Sequence, residues 1–341
     1  MIHARHRNAS LPPRNCNHGV TSLAAAINPS RVLAALLATA LFSLSAVSAR
    51  RTTRYVSGTE ANFTRLIIAV LMLTLLAYTL GKGFAPYFHR DFLGLWLLSG
   101  AIGFGMGDVA LFQALPLLGS RLTTLVVHCV AATLAATLEW LWLGNAMSLP
   151  QILCSLVILC GLGIALAPEK DVATHRGHLS KGIGWALIAA VGQGVGAALL
   201  SRYIYNKAAM AGTPIEGIEG GLAVACQRML GGIAFTGLLL CVLKWWRPAN
   251  AADAKPAQWK AAAPWLVLNG LCGPALGVSC YQWALSNHGT GVVMPIVAAT
   301  PIIVIPFAVL MKEETPTWRS LLGGAVAVAG VVGMALSNGA K

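Results

Sequence analysis

FQALPLLG at residues 112–119 returns as QWALSNHG at residues 282–289, with alanine in third place and glycine in eighth place both times. Each word closes a long apolar segment, the third and the eighth of ten lying between Arg31 and Asn338. The neighbouring segments match in the same order. The second carries one arginine in its first half, Arg65, and the seventh carries Arg228 in the corresponding place. The first ends in Ala49-Arg50 and the sixth in Ser201-Arg202. The fifth and tenth both thin out to glycines, Gly161-Leu162-Gly163 and Gly330-Val331-Val332-Gly333. A five-segment unit is written twice. Five is odd, so the second copy crosses a bilayer in the opposite sense to the first. An inverted repeat of this kind implies a binding site near the midplane, between the halves.

Composition supports the bilayer. Hydrophobic residues make up 57% of the chain and charged residues 10%, and the mean hydropathy is +0.70. A soluble chain of 341 residues would expose far more charge. A helix needs about 20 apolar residues to cross the hydrocarbon core. The spans expected on that basis are 32–49, 61–81, 92–114, 121–144, 149–168, 182–204, 220–243, 262–285, 289–311 and 319–338. Apart from His288, the run from Ala261 to Met311 holds no charge and is long enough for two spans, broken at Ser286–Gly291. The runs are too long and too continuous for the alternation of a barrel strand. The expected fold is all-α and integral to the membrane, ten transmembrane helices as two inverted five-helix repeats.

The net charge of +13 sits mainly in loops and in the N-terminal tail. On a membrane protein it points to anionic lipid surfaces and orientation signals, not to nucleic acid. Lys and Arg favour the loops after odd-numbered segments only slightly, so the positive-inside rule leaves the orientation open. Eight cysteines show no C-x-x-C pairing and read as small packing residues. Residues 1–30 form a basic tail, with Arg5, Arg7 and Arg14 and no acid, which is expected to stay disordered. With Ala46-Val47-Ser48-Ala49 behind it, the same stretch also fits a cleavable signal or a transit peptide. Cleavage would leave the first half one helix short, because segments one and six match. The organisation is therefore the tail, a first repeat over 31–168, a linker over 169–181 and a second repeat over 182–338.

The ordered pattern resembles the drug/metabolite transporter superfamily, in particular its ten-helix branch of two EamA-like repeats. It is carried by Arg65 and Arg228, by Gly107-Asp108 with Phe112, Ala114 and Gly119, by Leu141-Trp142-Leu143-Gly144, and by Lys312-Glu313-Glu314. The first copy departs from the family pattern, with Asn145 where the helix-ending glutamate usually stands. The resemblance implies export or exchange of small metabolites, amino acids or drugs through a central cavity, in the bacterial inner (plasma) membrane. It implies no cofactor. The partners it implies are a small-molecule solute and membrane lipid, with a homodimer left open.

Polar groups inside the spans are the candidate site. Asp108 lies one turn before Phe112, and a charged carboxylate at a helix centre costs about 2.5–3.5 kcal/mol unless it faces a cavity or a partner. It could couple transport to protons or grip a substrate amine; a structural carboxylate at a helix end is the plainer reading. Arg65 and Arg228 could bind an anionic group or pair with Asp108, or could simply snorkel to the interface. His128 could relay protons or be a satisfied helix histidine. Gln113, Gln193, Asn269, Tyr281 and Gln282 could offer neutral hydrogen bonds to a solute, or could tie helix to helix. No H-E-x-x-H, G-x-S-x-G or P-loop occurs, so no enzyme is expected. A sensor or assembly subunit that transports nothing, and a lipid-flipping protein with a groove open sideways, are the alternatives.

Overall fold

The computed structural model describes residues 29–80, 83, 84, 87, 90–143, 149–166, 176–246, 257–286, 293, 296, 297, 299–313 and 317–338. The expectations for the tail over 1–28, for the linker over 169–175, for the break at Gly289 and for Asn145 lie outside these residues. Among the described residues the chain is helical and has no strand. In order it forms α1 (Pro29–Thr52), α2 (Gly58–Leu80), α3 (Arg90–Gly100), π1 (Ala101–Gly107), α4 (Asp108–Leu143), α5 (Leu149–Leu166) and α6 (Arg176–Val191). There follow π2 (Gly192–Leu200), α7 (Ser201–Met210), α8 (Gly217–Trp245), α9 (Trp259–Gly270), π3 (Leu271–Gly277), α10 (Val278–Leu285), α11 (Thr300–Leu310) and α12 (Trp318–Asn338). Stretches labelled π are π-helical turns continuous with the α-helices on either side. Among the described residues six helical stretches are long and apolar enough to cross a membrane, and three shorter apolar helices accompany them. Helix α6 begins at Arg176, inside the stretch expected to be linker.

One apolar stretch, Arg90–Ala135, runs for 46 residues. Straight, it would measure about 69 Å, roughly twice a bilayer core. It is not straight. Gly119 adopts φ 81° and ψ 168°, outside helical geometry, and Pro116 just before it lacks the N–H a continuing helix would use. A positive φ costs glycine little. The stretch before Gly119, made of α3, π1 and the first leg of α4, contains residues 92–114, and the second leg contains residues 121–143.

Contacts between the halves repeat the internal symmetry. Helix α1 packs on π3, α10 and α11, and π2 packs on π1, α3 and α4. The first segment thus meets the eighth and ninth as the sixth meets the third and fourth. π1 and π3 occupy equivalent places, residues 101–107 and 271–277. Side chains reinforce the packing: Thr39 Oγ1 donates to Ile296 O at 3.1 Å and Ser43 Oγ to Thr300 O at 3.3 Å. Large apolar side chains such as Leu71, Leu75 and Leu238 point outward and are exposed, as lipid-facing positions must be.

At one end of the molecule α1 is locked to the end of α11. The Glu313 carboxylate is fully covered; it accepts hydrogen bonds from Arg51 Nε at 2.5 Å and Arg54 Nη2 at 2.5 Å. Arg50 Nη1 donates to the Glu313 carbonyl at 3.1 Å and Arg51 Nη2 to the Met311 carbonyl at 2.5 Å. Arg51 also lies 4.6 Å over the Trp265 ring.

Candidate functional site

Arg65, on α2, is buried and has a partner for every face of its guanidinium. Nε donates to Asn62 Oδ1 at 2.9 Å, Nη1 to Asn269 Oδ1 at 3.3 Å, and Nη2 to an Asp108 carboxylate oxygen. The Phe112 ring lies 4.9 Å from the guanidinium carbon. The two asparagines are held for this task. Asn62 Nδ2 donates to Phe104 O at 2.8 Å and Asn269 Nδ2 to Ser45 O at 2.6 Å, which turns both amide oxygens toward the arginine. Asp108 and Arg65 are each almost wholly removed from solvent. A buried pair offsets its desolvation only when hydrogen bonds satisfy what the ion contact leaves over. Here the asparagines supply them.

Arg228, on α8, is the counterpart of Arg65 and has a different environment. Nε donates to Ser99 Oγ at 3.0 Å, and Ser99 in turn donates to Gly196 O at 2.6 Å. The Phe104 ring lies 5.1 Å from the guanidinium carbon. Ser99 stands at the repeat position of Asn269, so each arginine donates to a polar residue on the other half. Asp108, however, has no acidic counterpart: the equivalent residue is Val278.

Both arginines face one central cavity of about 110 Å³, room for several waters or a small solute. Its wall combines Phe42 and Ser45 of α1, Asp108 and His128 of α4, Gln193 of π2, and Tyr281 of α10. Gly103 and Gly273, one on each of the equivalent π-helical turns, also line it. A Cβ added at Gly103 would stand 3.1 Å from Arg228 Nη2, and one at Gly273 would stand 2.4 Å from Ser45 Oγ and 3.4 Å from Arg65 Nη1. The missing side chains leave each arginine its place at the wall. π-helical turns widen a helix locally and are common at functional sites.

The structure brings seven of the nine sequence candidates to this cavity: Arg65, Asp108, His128, Gln193, Arg228, Asn269 and Tyr281. Gln113 and Gln282 stand away from its wall. Gln113 Nε2 reaches Thr59 Oγ1 at 3.5 Å. Gln282 accepts from Tyr205 O–H at 3.0 Å and donates to Ser201 Oγ at 3.4 Å, a buried tie between α7 and α10. Their helices are rotated so that these amides meet neighbouring helices. Asn62, Ser45, Ser99 and Phe104 escaped the sequence reading. The spacing of Asn62 and Arg65, three apart on one helix face, was the available signal for the first.

Two stretches of the chain, residues 29–167 and 180–336, each match the EamA-like transporter family. This protein belongs to the EamA-like transporter family. A solved structure titled only "Crystal structure of protein" aligns with 91% of this EamA-like chain and 98% of its own, at 17% identity and a TM-score of 0.59. At that identity the likeness concerns the fold alone. No curated protein matches the sequence. The EamA-like transporter is therefore a multi-pass membrane protein of a family that moves small solutes, and its two repeats meet around a cavity whose largely apolar wall carries Arg65, Asp108 and Arg228.

Proposed function

We propose that the protein is a secondary carrier of small metabolites, amino acids or drugs in the bacterial inner membrane, working by alternating access. Ten spans in two inverted five-helix repeats, 31–168 and 182–338, rock around the central cavity and expose it to each side in turn. The observation that carries this reading is the cavity itself: both halves contribute to it, and its wall holds a buried ion pair and a second buried arginine, Arg228. A sensor or assembly subunit has no need to keep charges there, since their burial costs stability.

In this reading Asp108 is the coupling residue. It is the one carboxylate on the cavity wall among the described residues, and its bond to Arg65 can exchange for a proton. His128 and Gln193 line the cavity without a hydrogen bond to any described residue, which leaves their polar atoms for solute or water. Arg65, Asn269 and Tyr281 complete the wall. The test is to compare solutes inside and outside cells overproducing the wild-type protein and Asp108→Asn. At least one small solute is expected to accumulate outside with the wild type and to lose that difference with the variant. If no solute is distributed differently between the two, the carrier reading fails.

A further inference from the structure

The charges on the cavity wall do not balance. Among the described residues two guanidinium groups, Arg65 and Arg228, face it with one carboxylate, Asp108, and the other lining residues carry no fixed charge. Arginine does not shed its proton in a protein interior, so these lining residues carry one positive charge in excess in a low-dielectric surrounding. The excess belongs to Arg228. Every nitrogen of Arg65 has an acceptor, and the Asp108 carboxylate is bonded to it. Arg228 has Ser99 on Nε, while Nη1 and Nη2 have no hydrogen-bond acceptor among the described residues. No described carboxylate lies within ion-pair distance of it. The repeat position that supplies Asp108 in the first half supplies Val278 in the second, also on the cavity wall. Beside Nη2 stands Gly103, whose absent side chain keeps the approach open.

We infer that Arg228 is the docking point for the anionic end of the solute, and that the solute is a small organic carboxylate. This rests on the carrier reading for the word solute, but the binding site stands on its own geometry. The two terminal nitrogens of the guanidinium form the flat fork that a carboxylate matches with two parallel hydrogen bonds. Phe42, Phe104 and Tyr281 line the same cavity and offer an apolar, partly aromatic wall for the body of such a molecule. A solute carboxylate supplies in the second half what Asp108 supplies in the first. The bound cavity is then neutral, which favours its closure and movement across the bilayer.

Purified protein in detergent tests this with three probes of the same shape: phenylacetate, phenethylamine and 2-phenylethanol, alongside hexanoate and hexylamine. Thermal unfolding and equilibrium binding are measured with each. The carboxylates are expected to raise the unfolding temperature, and the amines and the alcohol to leave it unchanged. Arg228→Gln is expected to weaken carboxylate binding at least about tenfold, the loss of a charge-assisted hydrogen bond. Should that variant fold poorly, Val278→Asp serves. It places a carboxylate at the repeat position of Asp108, neutralises Arg228 from within and is expected to abolish the carboxylate response. Equal stabilisation by amine, alcohol and carboxylate, no response to any carboxylate, or a carboxylate response that survives both variants overturns the inference. Flux assays separate it from the carrier reading. Carboxylate binding without solute movement leaves the site standing and removes the carrier. Movement of neutral solutes that ignores Arg228→Gln leaves the carrier standing and removes the site.

Discussion

Asp108 sits where no single charge would be stable, and the residues around it explain why it is there. Its carboxylate meets Arg65, and Arg65 is framed by Asn62, Asn269 and Phe112. Removing one member of a buried pair leaves the other charge uncompensated, at a cost of about 3–5 kcal/mol. Asp108→Asn and Arg65→Gln are therefore each expected to lower thermal stability by that order. The double variant removes both charges and should regain most of the loss, because polar amides remain to satisfy one another. Solute movement should stay absent in the double variant. A thermodynamic cycle over the four proteins reads the coupling directly, and additive losses would show that the pair is not an interacting unit.

At the scale of elements, small residues set how closely helices approach. Helices α5 and α12 pack with a glycine of each against the backbone of the other. A Cβ at Gly161 would lie 2.4 Å from Ala327 N, and one at Gly323 would lie 2.4 Å from Ala165 N. Helices in lipid associate through this kind of contact, since the lipid is as apolar as they are. Gly163, one half-turn further along α5, would meet nothing within 4 Å. Gly161→Ala is therefore expected to destabilise by roughly 1–3 kcal/mol, the range for overpacking, while Gly163→Ala leaves unfolding temperature unchanged or raises it. Both substitutions alter helix propensity alike, so the difference between them isolates the contact. The matching π-helical turns at 101–107 and 271–277 are a second feature of this scale. They carry Gly103 and Gly273 to the cavity, and no simple periodicity in the sequence announces them.

For the whole molecule, one end carries an ion-paired carboxylate whose residue type the first repeat does not share. Glu313 gathers Arg51 and Arg54 onto its carboxylate and Arg50 onto its carbonyl, joining α1 of the first repeat to α11 of the second. The position equivalent to Glu313 in the first repeat is Asn145. If the halves rock, this latch opens in one of the two states. Glu313→Gln is expected to favour that state. A cysteine replacing Ser45 on the cavity wall, in a protein without its native cysteines, should then react with a water-soluble thiol reagent faster, on the order of tenfold after allowance for the partly exposed arginines. An unchanged rate would show the latch to be structural only.

The repeat, the membrane residence and the helical class were legible in the sequence alone, because they rest on the length of apolar runs and on the order of words such as FQALPLLG. The charged candidates Arg65, Asp108 and Arg228 were legible for the same reason, since any charge inside such a run is conspicuous. What the linear order could not say is which way each side chain faces. Successive residues turn by about 100° around a helix, and the rotation of the helix as a whole is set by contacts between small residues on different segments. Only the tertiary structure decided that Asp108 belongs to Arg65, that Arg228 bonds to Ser99 and not to Asp108, and that Gln113 and Gln282 face neighbouring helices instead of the cavity.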